Sequence, residues 1–350
     1  MASRDPSQLD ERSREVLKTL IQLHIATGEP VGSESLARSM KRSLSPATLR
    51  NTMAEMERAG LLDHPHTSAG RIPTDEGYRA YVDGMIAHRP LPRRDAQAIQ
   101  STLQADGTAT GLMESASHLL SQLSRNVGFV VGPELASTAF RHIDLVGLAH
   151  PRILVVMVSR TGLVTNKVIE IDEEISPDEL QTCANYLNSH FAGLTLSAIR
   201  ARLLQLMQEE KALYDTLLKR VVTLGEQVFD APPGAAEVFI DGTSNILAQP
   251  EFGDVERMRS LFRTFEQKSR LVAILTACIS AEGVRIVIGR EHPDPDWHDL
   301  SVVAAGSGAE AGAQFGLGVM GSTRMEYARM ISVVEHVARA FSNALKELLT

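Results

Sequence analysis

Apolar positions in the first ninety residues recur at helical spacing. Val16, Leu17, Leu20, Ile21, His24 and Ile25 share one face of a helix expected from about Ser7 or Asp10 to Thr27. Gly28-Glu29-Pro30 stops it, because glycine suits the C-cap and proline cannot continue a helix. Ser33 opens a short second helix that carries Leu36, Ala37 and Met40. Ser45-Pro46 is a strong start for a third, a cap residue followed by proline at the first helical position. This third helix, about Pro46 to Ala59, buries Leu49, Met53 and Met56, with Thr52 beside them. Its opposite face shows Ala47, Asn51, Ala54, Glu55 and Arg58, flanked by Thr48 and Arg50. Gly60 ends it. A strand start at Leu61-Leu62-Asp63, the stretch PHTSAGRIPT at 65–74 and a further helix at Asp75, capped by Thr74, complete the region.

Three helices, with a short turn before the third, fit either a plain packing module or a helix-turn-helix. In the second reading the third helix enters the major groove by its N-terminal half. There Arg50 can fork onto guanine and Asn51 onto adenine, and the small residues Ser45, Ala47 and Thr48 allow close approach. A hairpin directly after such a helix is a wing. His66, Thr67, Ser68 and Arg71 are then groove and phosphate contacts, and Ala69-Gly70 allow a tight tip.

Beyond residue 90 the pattern changes. HRPLPRRD at 88–95 reads as a linker and 95–125 as one amphipathic helix. Strand-like apolar runs follow at 127–131, 143–148, 153–158 and 167–171, then a helix from Ser176-Pro177 to about Phe191. Further strands are expected at 284–288, 300–304 and 317–320, with a last helix from Met325 to Leu349. Strands at both ends suggest one α+β sheet interrupted by an insertion. The longest seam runs through Leu196, Ile199, Leu203, Leu206, Leu213, Leu217, Val221, Leu224 and Val228 at close to 3.5-residue spacing, broken by Glu210. It fits either a partner helix from a second copy or burial against the chain's own helices at 254–278.

Composition sharpens this picture. The chain has 350 residues, room for two or three domains. Two cysteines, Cys183 and Cys278, are too few for a disulfide scaffold, so a cytoplasmic protein with buried thiols is expected. No apolar run reaches the roughly 18 residues that span a bilayer, and the N-terminus lacks the apolar core of a signal peptide. The net charge of -8 falls entirely on residues 91–350, because residues 1–90 balance 12 basic against 12 acidic side chains. A globally basic nucleic-acid binder is excluded, and a local one is not. Residues 35–54 carry Arg38, Lys41, Arg42 and Arg50 with no acid, and 64–74 carry Arg71 with none.

Three other clusters invite chemistry. EHPDPDWHD at 291–299 reads as a rigid loop or a metal site, without ligand spacing on a helix to favour the latter. AAGSGAEAGAQFG at 304–316 lacks the lysine of a P-loop. The acids at 172–179 suit a solvated surface and a helix N-terminus. There is no Gly-x-Ser-x-Gly and no His-Glu-x-x-His, so no catalytic residue, cofactor or metal is expected.

GEPVGSESLA, SPATLRNTMAEMERAGLL and PHTSAGRIPTDEGYRAYVD resemble the N-terminal domain of the heat-inducible transcription repressor family HrcA, and the likeness is nearly continuous from Leu9 to Asp83. GTSNILAQPEF at 242–252, VRIVIGRE at 284–291 and GLGVMGSTRMEY at 316–327 extend it over the chain. The chain departs from the family pattern at Ser322, where Gly-Pro-Thr-Arg-Met is expected, and by lacking a tyrosine in SVVAAGSGAEAG. The resemblance implies a winged helix-turn-helix over 1–88, a linker at 89–105, a GAF-like α+β domain over 106–191 and 276–350, and an inserted, largely helical dimerising domain at 192–275. It also implies a homodimeric repressor on an inverted-repeat (CIRCE-type) operator upstream of groE- and dnaK-type chaperone operons, its activity supported by a GroEL-type chaperonin. Two alternatives stay open: a GAF-type ligand sensor of other genes, and a chaperone-interacting module without productive DNA binding.

Overall fold

A computed structural model describes residues 9–40, 44–65, 70–86, 90–104, 107–133, 138–208, 216–229, 236–247, 249, 259, 263, 265, 267–279, 283–308 and 314–349. Helix α1 (Glu11–Thr27) starts at Asp10, whose carboxylate accepts the Ser13 N–H at 2.7 Å, and ends at Gly28 with φ 75°. Helices α2 (Ser33–Ser39) and α3 (Pro46–Arg58) follow, then the two-residue strands β1 (Leu62–Asp63) and β2 (Ile72–Pro73) and helix α4 (Asp75–Gly84). Strands β1 and β2 pair antiparallel, with Leu62 opposite Pro73. Leu17, Leu20, Ile21, Leu36 and Leu49 are fully buried where α1, α2 and α3 meet.

The expected single helix over 95–125 is two: α5 (Arg93–Gln104) and α6 (Ala109–Ser124). Gly107 and Thr108 separate them, and the Thr108 hydroxyl caps the second by accepting the Gly111 N–H. The stretch 93–104 is thus no linker. Its Ile99 and Leu103 are buried against the last helix of the chain.

Strand β3 (Val127–Val131) enters a five-stranded antiparallel sheet. Its other members are β7 (Val238–Asp241), β8 (Val284–Ile288), β9 (Leu300–Gly308) and β10 (Gln314–Ser322), in the order β7-β3-β10-β9-β8. The closing helix, named α12 here (Tyr327–Leu349), covers one face together with α6 through Val333, Val337 and Phe341. A helix over Lys268–Cys278, α11, covers the other through Leu271 and Leu275. This is the α+β domain that the resemblance leads one to expect as GAF-like. Its core is continuous with that of the winged helix, since Tyr78 and Tyr81 share one apolar cluster with Met325, Tyr327 and Met330.

The chain leaves the sheet after β3 and returns beside it as β7, with Val131 opposite Val238. What lies between is a separate unit with its own core. It holds a three-stranded sheet, β4 (Phe140–Gly147), β5 (Arg152–Ser159) and β6 (Val164–Glu170), and helices α7 (Pro177–Phe191), α8 (Leu196–Gln208) and α9 (Thr216–Val228). The interrupting segment therefore differs from the expected 192–275. Strands 140–170 and α7 belong to it, whereas β7, the short helix α10 (Thr243–Leu247) and α11 pack with the five-stranded sheet. Periodicity marks a strand but not which sheet it joins. The long seam folds as α8 and α9. Leu196, Ile199, Leu203, Leu206, Val221, Leu224 and Val228 are buried against β4, β5 and α7, in a different cluster from the described helix 268–278. Gly225 lies so close to Leu203 that a Cβ there would stand 2.7 Å from its Cδ1. Leu213 and Glu210 lie outside the described residues.

Ser322 uses its backbone N–H, which donates to Gln249 Oε1 at 3.1 Å, a bond proline cannot make. The Gln249 amide in turn donates to Asn126 Oδ1 at 3.1 Å, so the 242–252 motif ties the end of β10 to the start of β3.

Candidate DNA-binding face

Burial fixes the roll of α3. Leu49, Thr52, Met53 and Met56 point into the core, which leaves Ala47, Arg50, Asn51, Glu55 and Arg58 exposed. Ser45 is the N-cap. Its Oγ accepts the Thr48 N–H at 3.1 Å and lies 2.8 Å from Thr48 Oγ1. Ser45, Thr48, Arg50 and Asn51 therefore sit together on the first turns of α3. No acid stands in its first turn, so the positive end of the helix dipole faces outward unopposed.

The wing is anchored at its base. The N–H and C=O of Arg71 bond to those of Val31, at 3.0 and 2.9 Å. Gly70 lies against the Val31 backbone, where any Cβ would collide with the carbonyl. The Arg71 side chain, 18% exposed, donates from Nε to Glu57 Oε2 at 2.7 Å. Arg71 thus joins the wing to α3, and Glu57 offsets part of the positive charge expected there. Neither Glu57 nor Val31 was marked by the sequence pattern, because their partners are distant along the chain. His66, Thr67 and Ser68 lie outside the described residues. The wing hands over to α4 at Thr74, whose hydroxyl caps the helix and donates to the Gly60 carbonyl at 2.6 Å.

The cluster at 291–299 is held by its own internal contacts. Arg270 grips Asp294 and Asp296, with Nη2 at 2.7 and 2.8 Å from their carboxylates. His292 stacks on buried Trp297 with ring centres 5.0 Å apart, and burial pushes its pKa down. Cys278 Sγ lies 3.4 Å from His292 Nε2, and burial raises its thiol pKa to about 11, far from a reactive thiolate. Among the described residues no group of three or more His, Cys, Asp or Glu side chains is placed to hold a metal ion. Among the described residues no helix is long and apolar enough to cross a membrane.

Comparison with known proteins agrees with this geometry. Residues 8–83 match the family model of the winged helix-turn-helix transcription repressor, HrcA DNA-binding, and residues 110–331 that of the HrcA protein C-terminal domain. The heat-inducible transcription repressor HrcA of Geobacter sulfurreducens is 42% identical over 97% of this chain and 99% of its own. That of Anaeromyxobacter sp. strain K is 40% identical over 99% of each. A crystal structure of a hypothetical protein shares the fold, with a TM-score of 0.64 at 19% identity over 97% of this chain and all of that one. Domain order, an exposed third helix backed by a wing, and near full-length likeness to named repressors converge: the chain belongs to the HrcA family of heat-inducible transcription repressors and carries that family's DNA-binding winged helix.

Proposed function

We propose that the chain represses transcription as a homodimer on an inverted-repeat operator of the CIRCE type, upstream of groE- and dnaK-type chaperone operons. A GroEL-type chaperonin supports its active form, so the operons are released when unfolded protein occupies the chaperonin. The observation that carries this reading is the exposed N-terminal half of α3, where Ser45, Thr48, Arg50 and Asn51 stand together ahead of the wing. Arg50 and Asn51 read base edges. Arg71, with His66, Thr67 and Ser68, meets the backbone or the minor groove.

An inverted repeat calls for a two-fold protein. The interrupting unit supports one. Val146, Leu148, Val164 and Val168 are 45 to 50% exposed, and Val146, Leu154 and Val168 form one cross-strand row on the outer face of β4-β5-β6. An apolar sheet face of this kind marks an interaction surface, and a second copy is its simplest self-complementary occupant.

A gel shift on an inverted repeat from a chaperonin promoter tests the reading, with dimer mass checked by light scattering. No shift at low salt by folded dimer ends it. Operator titration with and without chaperonin tests the support by that partner, and superimposable curves would remove it.

A further inference from the structure

The winged helix is held to the GAF-like sheet by more than its linker. Arg79, in the middle of α4, donates from Nε to Glu291 Oε1 at 2.7 Å. Its Nη2 reaches the other Glu291 oxygen and donates to the Ile286 carbonyl at 2.7 Å. Glu291 is itself positioned by the Ile288 N–H at 2.9 Å. One turn earlier, Asp75 accepts the Arg290 N–H at 2.9 Å. Gly289 there has φ 49°, and a Cβ on it would run into the Asp75 carboxylate. Burial raises the Asp75 pKa, as expected of a carboxyl enclosed by the contact. On the other side Arg324 donates to the Ile25 carbonyl in the last turn of α1, at 2.8 Å, and lies against Gly28. Between these points the Tyr78 and Tyr327 rings meet at 5.9 Å.

These attachments lie on two helices, α1 and α4, and hold the winged helix to the sheet at several separate points, which opposes its swinging as a free unit. A forked guanidinium held by two carboxylate oxygens and a carbonyl is also a directional contact, not a mere charge pair. The two DNA-binding units of a dimer then stand at one distance and one angle. DNA is demanding in both, because one added base pair moves a half-site by about 3.4 Å and turns it by about 35°. A rigidly held unit cannot follow that movement. A unit tethered only through residues 85–92 can.

We propose that Asp75, Arg79 and Arg324 are positioning residues that set the operator half-site spacing the repressor accepts, although none of them lies on α3 or the wing. This rests on the dimeric inverted-repeat reading above. Discrimination is then divided within the chain: α3 selects the bases of each half-site, and the contact of α1 and α4 with β8, its following turn and Arg324 selects the separation between half-sites.

The test measures affinity for operators whose central spacer is lengthened or shortened by one and two base pairs, and for an isolated half-site. Wild-type dimer should lose about tenfold or more per base pair, the cost of deforming DNA to meet a fixed protein. Arg79→Ala and Arg324→Ala should give a markedly flatter profile with unchanged half-site affinity, and Arg79→Lys an intermediate one, because lysine cannot fork. Thermal melting confirms that each variant is folded. Should Arg79→Ala not fold, Glu291→Gln loosens the same contact at constant size. A profile as steep in the folded variants as in the wild type, or already flat in the wild type, overturns the inference. If the wild type binds an inverted repeat no better than a half-site, the dimeric reading fails instead, which the same data distinguish.

Discussion

Glu57 on the inner flank of α3 and Arg71 at the base of the wing hold each other through a 2.7 Å ion pair across fourteen positions of sequence. The ion pair therefore ties the third helix to the hairpin that follows it. The pair also shapes the charge of the wing, since Glu57 offsets part of the positive charge of Arg71 at its base.

Removing either partner should separate these effects. Arg71→Ala should weaken binding to all operator sequences alike and flatten the salt dependence by about one unit. Glu57→Gln should tighten binding at low salt, because the guanidinium is released toward phosphate. Salt titrations of both variants decide, and an unchanged slope in Arg71→Ala would remove that residue from the interface.

Arg50 and Asn51 are exposed and make no core contact, so their replacement by alanine should leave the melting temperature near wild type. Affinity for the native operator should drop by about 1–3 kcal/mol for each bidentate pair lost, with specificity relaxed at one base. Ser45→Ala differs. It removes the cap of α3 and should cost about 1 kcal/mol of stability, seen in chemical denaturation without DNA.

Glu179 should make the interrupting unit acid-sensitive. The Ser176 N–H, then the Arg220 guanidinium, hold its carboxyl at about 2 instead of the ordinary 4.5. A carboxyl lowered on folding contributes stability that is complete above its unfolded pKa and is lost as pH falls toward the folded one. Glu179→Gln should therefore melt below the wild type at pH 7, with the gap narrowing as pH falls through 4.5 toward about 2.

Cys183 and Cys278 are both buried, and burial raises both thiol pKa values. Neither should react with a thiol reagent at pH 8 in the native protein. Both should react in step with urea unfolding, and labelling of the folded protein within seconds would contradict their placement.

Local chemistry determined much of this molecule from its sequence. Ser45-Pro46 had to begin a helix, Gly28 had to end one, and the spacing of Leu49, Met53 and Met56 settled which face of α3 is inward and so which residues are outward. These are interactions within a turn or two, written in adjacent letters. PHTSAGRIPT could be placed as a hairpin between two helices for the same reason. Tertiary structure alone decided the rest. The strands at 140–170 carry the same alternation whether they join one sheet or another, and only their packing on α7, α8 and α9 assigns them to a separate unit. The ion pair of Arg71 with Glu57, the hold of Arg79 on Glu291 and the bond from Ser322 to Gln249 join residues 14, 212 and 73 positions apart. No period or spacing encodes such pairs, because they depend on where whole elements come to rest once their apolar faces are buried.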